Sequence, residues 1–127
     1  MELQLDMTGD VPIYRQIRDA IVQGVAVGAL QGGEGLPTVR QLAAELSVNP
    51  MTVNKAYALL KNEGVIVIDR RHGARICEVR QQAGVPDADS DRRLRLLLSE
   101  AYASGVPAEQ VYAHFASQMR QIYQKEE

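Results

Sequence analysis

Apolar residues along this chain recur first at the period of a helix, then at that of a strand, then at that of a helix again. In PIYRQIRDAIVQGVAVG, residues 12 to 28, Ile13, Ile17, Ala20, Ile21 and Gly24 share one face behind Pro12, which predicts a first helix. Gly28 is placed to stop it, and ALQGGEGLP, with three glycines and a proline, reads as a loop. TVRQLAAELS then opens with a capping box, in which the Thr38 hydroxyl accepts from the amide three residues on while Gln41 reaches back to the Thr38 amide. Val39, Leu42, Ala43 and Leu46 form the apolar stripe of a short second helix. After an SVN link, NPMTVNKAYALLKNEG, residues 49 to 64, sets Val53, Ala56, Tyr57 and Leu60 at i, i+3, i+4 and i+7. Asn49 is a good N-cap and Pro50 suits the first helical position. Two short helices joined by so short a turn predict a helix-turn-helix.

Past Gly64 the pattern changes. VIVID, then RRHG, then ARICEV is β-branched sequence around a polar, glycine-containing link, which predicts a hairpin whose tip carries Arg70, Arg71 and His72, with Arg75 just beyond. QQAGVPDADS, residues 81 to 90, has no periodicity and reads as a linker. Two helices then close the chain, Asp91 to Ser104 with Leu94, Leu97, Leu98 and Ala101 inward, and Pro107 to about Lys125 with Val111, Phe115, Met119 and Ile122 inward. A two-helix hairpin of that size cannot hide its own apolar stripe. Leu94, Leu97, Leu98, Val111, Phe115, Met119 and Ile122 are therefore expected to bury themselves against a second copy of the chain. The expected fold class is mainly α with a small β-hairpin: a winged helix-turn-helix domain over 1–80, a linker over 81–90 and a helical dimerisation tail over 91–127.

Composition narrows the function. With 127 residues, 46% of them hydrophobic, the chain holds one modest domain and an appendage. It has no apolar run of membrane-spanning length, and MELQLDMTGD is acidic where a signal peptide is basic and then apolar, so a cytoplasmic protein without membrane contact is expected. Cys77 is the one cysteine; it reads as a small buried hydrophobe, and with only two histidines no metal cluster of familiar spacing assembles. GGEG lacks the strand before it and the Lys-Ser/Thr after it that a phosphate loop needs, and no nucleophile, base and acid stand at a telling spacing. Neither an enzyme nor a cofactor is expected. The net charge of −2 conceals a partition: residues 1–11 carry three acids and no bases, 12–80 carry nine Lys/Arg against six Asp/Glu, and 81–127 carry five against seven.

Positive charge thus gathers in the winged helix, and the third helix has an outer face with something to offer. Asn49, Met51, Thr52, Asn54 and Lys55 lie there: Asn can bond adenine bidentately, Met and the Thr methyl can touch a thymine methyl, and Lys can reach a guanine or a phosphate. Arg40 stands at the positive end of the second helix, where it can meet a phosphate, unless it pairs with Glu45. The run LPTVRQLAAELSVNPMTVNKAYALLKNEG, residues 36 to 64, together with PIYRQI before it and the RRHG hairpin after it, resembles the DNA-binding domain of the GntR family of bacterial transcriptional regulators. The short two-helix tail resembles that of the family's YtrA subfamily, where it serves dimerisation. The resemblance implies a dimer that sets recognition helices in successive major grooves with wing tips in the minor groove. It places DNA contacts at Thr38, Arg40, Asn49, Pro50, Met51, Thr52, Asn54, His72 and Gly73. Arg71 stands where the family wing often has its first glycine, Ala74 and Arg75 where it has Thr and an aromatic, and Ser47 where glycine is common between the helices.

Two other classes compete. A winged helix can serve as a protein-docking module, its basic wing meeting an acidic partner, and the low overall pI fits that use. Binding of single strands or RNA wants exposed aromatics along a basic groove, and the five Tyr and one Phe mostly fall at core spacing. A small-molecule effector, if the protein has one, has to use the dimer interface or the junction of tail and winged helix, because the tail alone is too small to enclose a pocket.

Overall fold

The computed structural model describes residues 3–78 and 88–123. They belong to two compact units, Met1–Arg80 and Gln81–Glu127. The elements run α1 (Ile13–Ala26), α2 (Val39–Leu46), α3 (Pro50–Asn62), β1 (Ile66–Asp69), β2 (Gly73–Ile76), α4 (Ala88–Ala103) and α5 (Ala108–Tyr123).

In the first unit α3 packs on both α1 and α2. Its buried residues are Val53, Ala56, Tyr57 and Leu60, the stripe read from the sequence. They meet Ile17 and Ile21 of α1, Leu42 and Ala43 of α2, Leu30 of the loop, and Ile66, Ala74 and Ile76 of the hairpin. Burying one such side chain is worth roughly 1.5–3 kcal/mol, so this face fixes α3 in place and leaves its other side outside the core. Gly24 is needed for the closure: a Cβ there would lie 2.9 Å from Leu30 Cδ1. Leu30 also donates its amide to the Gly24 carbonyl at 3.0 Å.

The helix-turn-helix forms as its local chemistry directs. Gln41 donates its amide to Thr38 Oγ1 at 3.1 Å and accepts from the Thr38 amide at 2.9 Å, completing the capping box. Asn49 Oδ1 accepts from the Met51 amide at 2.8 Å and starts α3. Between the helices Ser47 takes φ 57°, ψ 44°, the left-handed conformation that glycine adopts without strain. Three further bonds hold the arrangement. The Tyr57 hydroxyl donates to the Pro37 carbonyl at 2.7 Å, and Arg18 donates from Nε and Nη2 to the two carboxylate oxygens of Glu63 at 2.9 and 2.6 Å, which ties α1 to the end of α3. That fork raises the Arg18 pKa well above its ordinary value.

β1 and β2 pair antiparallel from Ile66↔Ile76 to Asp69↔Gly73, leaving a three-residue loop, Arg70 to His72. Gly73, at φ +67°, absorbs the left-handed step such a loop requires. Arg71 needs no glycine in its place, since Ser47 is the one non-glycine residue of positive φ among the described residues. The segment ALQGGEGLP does more than a loop. Gly33 donates its amide to the Ile76 carbonyl at 2.8 Å, the Ile76 amide donates to Glu34 at 2.9 Å and the Leu36 amide to Ala74 at 2.9 Å, so β2 is hydrogen-bonded along both edges. Its glycine-rich composition concealed this, because a single bridge at Gly35 asks for no β-branched residue.

In the second unit α4 begins at Ala88, three residues before the expected Asp91. Asp89 near its start is paired with Arg92 and Arg93 one turn on, which favours helix where periodicity alone showed none. Of the expected linker 81–90, residues 81–87 lie outside the described residues and 88–90 are helical. Gly105, at φ +80°, and Pro107 turn the chain into α5. Leu94 and Leu98 face Val111, Phe115 and Met119 across an open groove of about 550 Å³, lined also by Tyr102, Val106 and Tyr112. No described residue of either helix is buried: Val111, Phe115 and Ile122 are half-covered, whereas Leu94, Leu97, Leu98 and Met119 are exposed. Leu97 departs from the expected inward set. It lies about 100° around the helix from Leu98 and outside the groove, because consecutive leucines cannot share one face.

Candidate nucleic-acid interface

Opposite its buried stripe α3 presents Met51, Asn54, Lys55 and Ala58, all exposed, with Met51 at 77%. Asn49 and Pro50 are exposed at its first turn, and Thr52 is half-buried beside them. A helix about 10–12 Å across suits a major groove about 12 Å wide, and the small Ala58 puts no bulk in the way of close approach. On α2, Thr38 and Arg40 are exposed at the positive helix end. Among the described residues Arg40 forms no ion pair, so Glu45 does not hold it.

Hydrogen bonding sorts these groups by what they have left to give. Asn49 already accepts at Oδ1 from the Met51 amide in capping α3, so its NH₂ is the half of the amide most free to meet a ligand. Asn54 keeps both halves of its amide. Thr38 Oγ1 accepts within the capping box and retains its O–H as a donor for a phosphate. Lys55 Nζ sits 4.1 Å from the centroid of the Tyr14 ring on α1. This cation–π contact was invisible in the sequence, since neither residue's periodicity signals the other.

The wing tip carries Arg70, Arg71, His72 and Gly73, all exposed. Asp69 organises it. Its carboxylate accepts from the His72 amide at 2.5 Å, lies 3.3 Å from His72 Nδ1 and accepts from Arg75 Nη2 at 3.2 Å. The His72 amide above all, with the His72 ring beside it, holds the Asp69 pKa below its ordinary value. Arg75 is therefore already paired and contributes less free charge than its position suggested. The expected dimerisation residues are all in the second unit, on the helices described above.

A three-helix core, an uncovered recognition face and a basic wing define a winged-helix regulator of transcription, a class of DNA-binding proteins rather than of enzymes. The chain belongs to the gntR family of bacterial regulatory proteins, whose family model matches residues 13–76. It is 33% identical over 112 residues to the transcriptional repressor YtrA of Bacillus subtilis, a match spanning 87% of this chain and 86% of that protein. Among solved structures it is similar to the transcriptional antiterminator of Listeria monocytogenes, with a TM-score of 0.81 at 27% identity over 96% of this chain and 92% of that one. The GntR-family transcription factor YtrA of Sulfolobus acidocaldarius is 32% identical, with a TM-score of 0.59 over 94% of this chain and 98% of that one. Likeness to proteins of nearly the same length extends the resemblance past the winged helix into the two-helix tail. No described helix is long and apolar enough to cross a membrane.

Proposed function

We propose that the chain is a repressor that binds a pseudo-palindromic operator as a homodimer. Each protomer lays α3 in a major groove and its wing tip in the adjoining minor groove. The observation that carries this reading is the bare face of α3: Met51, Asn54 and Lys55 stand clear of a helix whose opposite side is wholly engaged in the core. Asn54 and Met51 read base edges, Lys55 and the Asn49 NH₂ reach bases or phosphates, and Pro50 and Thr52 pack close to the backbone. Thr38, Arg40, Arg70, Arg71, His72 and the Gly73 backbone fix the register on phosphates and in the minor groove. The repressor role follows the name of the Bacillus relative.

The domain assignment is that of the sequence: 1–80 binds DNA and the helices of 91–127 dimerise. The exposed leucines and methionine of α4 and α5 support it, since a second copy covers them at no cost in polar groups. The test is selection of duplexes from a random pool at near-physiological salt. An enriched inverted repeat with half-sites about 34 Å apart is expected, and sedimentation should give a dimer that Leu98→Glu dissociates. Weak binding without enrichment, or a monomer at micromolar concentration, would overturn the reading and favour a protein-docking module.

A further inference from the structure

The wing contains an acid where a DNA-binding tip gains nothing from negative charge. Asp69 ends β1, opposite Gly73, and its carboxylate turns back on the wing itself, to the His72 amide, His72 Nδ1 and Arg75 Nη2. Among the described residues Arg75 Nε is buried and without a hydrogen-bond partner, and the side-chain bond that Arg75 makes is the one from Nη2 to Asp69. Arg70 and Arg71 form no ion pair among the described residues. Arg75 and the His72 ring are thus pinned, and the two cations Arg70 and Arg71 are left loose at the tip.

We propose that Asp69 is a positioning residue for operator recognition, holding the loop Arg70–His72 in one shape so that His72 and Arg75 arrive pre-aimed while Arg70 and Arg71 find phosphates. The inference rests on the wing meeting DNA, as argued above. Its chemistry has two separable parts. The bond from the His72 amide is an Asx turn, which asparagine can also make; the pairing with Arg75 and His72 needs the charge. Removing the charge by itself draws the wing toward any duplex, because one acid fewer faces the phosphates. Positioning must therefore be read from the ratio of operator to scrambled-duplex affinity, in which that general attraction cancels.

The experiment measures this ratio for the full-length wild type, Asp69→Ala and Asp69→Asn, using the operator duplex obtained by selection and a scrambled duplex of the same composition, over a series of salt concentrations. Asp69→Ala should lower the ratio about fivefold, the size of one lost hydrogen bond of ordinary strength at an exposed site. Asp69→Asn should recover most of it while binding both duplexes more tightly at low salt. An unchanged ratio in Asp69→Ala refutes the positioning role, as does a gain of affinity on both duplexes with the ratio intact, which makes Asp69 a plain electrostatic brake. A wild type without preference for any duplex removes the operator reading, and this inference with it. Thermal melting of both variants at the wild-type temperature separates positioning from loss of fold.

Discussion

Replacing Tyr57 by Phe removes one oxygen atom, and the structure says what should follow at two pH values. The ring is 2% exposed and packs in the core, so Phe keeps the burial. What goes is the 2.7 Å bond to the Pro37 carbonyl, which joins α3 to the residue preceding the α2 cap. A neutral hydrogen bond is worth about 1 kcal/mol net, so Tyr57→Phe should cost about 1 kcal/mol at pH 7.5. Burial, with Glu45 adding to it, pushes the Tyr57 pKa from 10.0 up to about 12. A pKa raised by folding stabilises the folded state fully below the unfolded value and is lost as pH climbs through the folded one. The wild type therefore gives up stability between about pH 10 and 12. At pH 11, one unit above the unfolded value, the loss attributable to this group is about 1 kcal/mol, within the about 1.4 kcal/mol that one unit allows. The phenylalanine variant escapes it. Urea unfolding followed by far-ultraviolet circular dichroism, at fixed protein concentration, should show the 1 kcal/mol gap closing by pH 11. A gap that stays constant or widens would refute the assignment of the shift to Tyr57, and no gap at pH 7.5 would refute the bond.

Further outcomes follow from other residues. Asn49→Asp should keep the α3 cap and leave stability unchanged, yet weaken operator binding several-fold because a carboxylate then faces phosphates; Asn49→Ala should cost about 1 kcal/mol of stability as well, by thermal melting. Ser47→Gly should stabilise the protein by about 0.5–1 kcal/mol in urea unfolding, the left-handed strain relieved less the entropy of the freer unfolded chain. In a double-mutant cycle on operator affinity, Tyr14→Leu and Lys55→Met should couple by about 0.5–1 kcal/mol, and Tyr14→Phe should restore the coupling. Strict additivity would mean the ring does nothing for Lys55 on DNA.

Those elements whose signal is local were legible in the sequence. The Thr38–Gln41 box, the Asn49–Pro50 start and the four-residue stripe of α3 appear as read, because each depends on residues within one or two turns. The wing's two strands were equally plain, as was the stop at Gly28, which in the structure takes a positive φ. What escaped were contacts between distant segments. Nothing in GGEG announces an edge against β2, nothing in Tyr14 announces Lys55, and the pairing of Arg75 with Asp69 subtracts a charge that simple counting had credited to the tip. The same holds for α4, where RRLRLLL carries too many leucines for periodicity to say which of them turn inward.

The edge between residues 33 and 36 and β2 bears on how the chain can vary over evolution. Surface loops ordinarily absorb insertions and deletions cheaply. Here one added residue between Gly32 and Leu36 would slide the pairing with β2 by one place and turn that edge over. Gly33 also holds φ +84°, a backbone conformation that residues with a side chain rarely adopt. The stretch that looks most expendable thus acts as a ruler for the wing, and its length is tied to where the tip comes to rest.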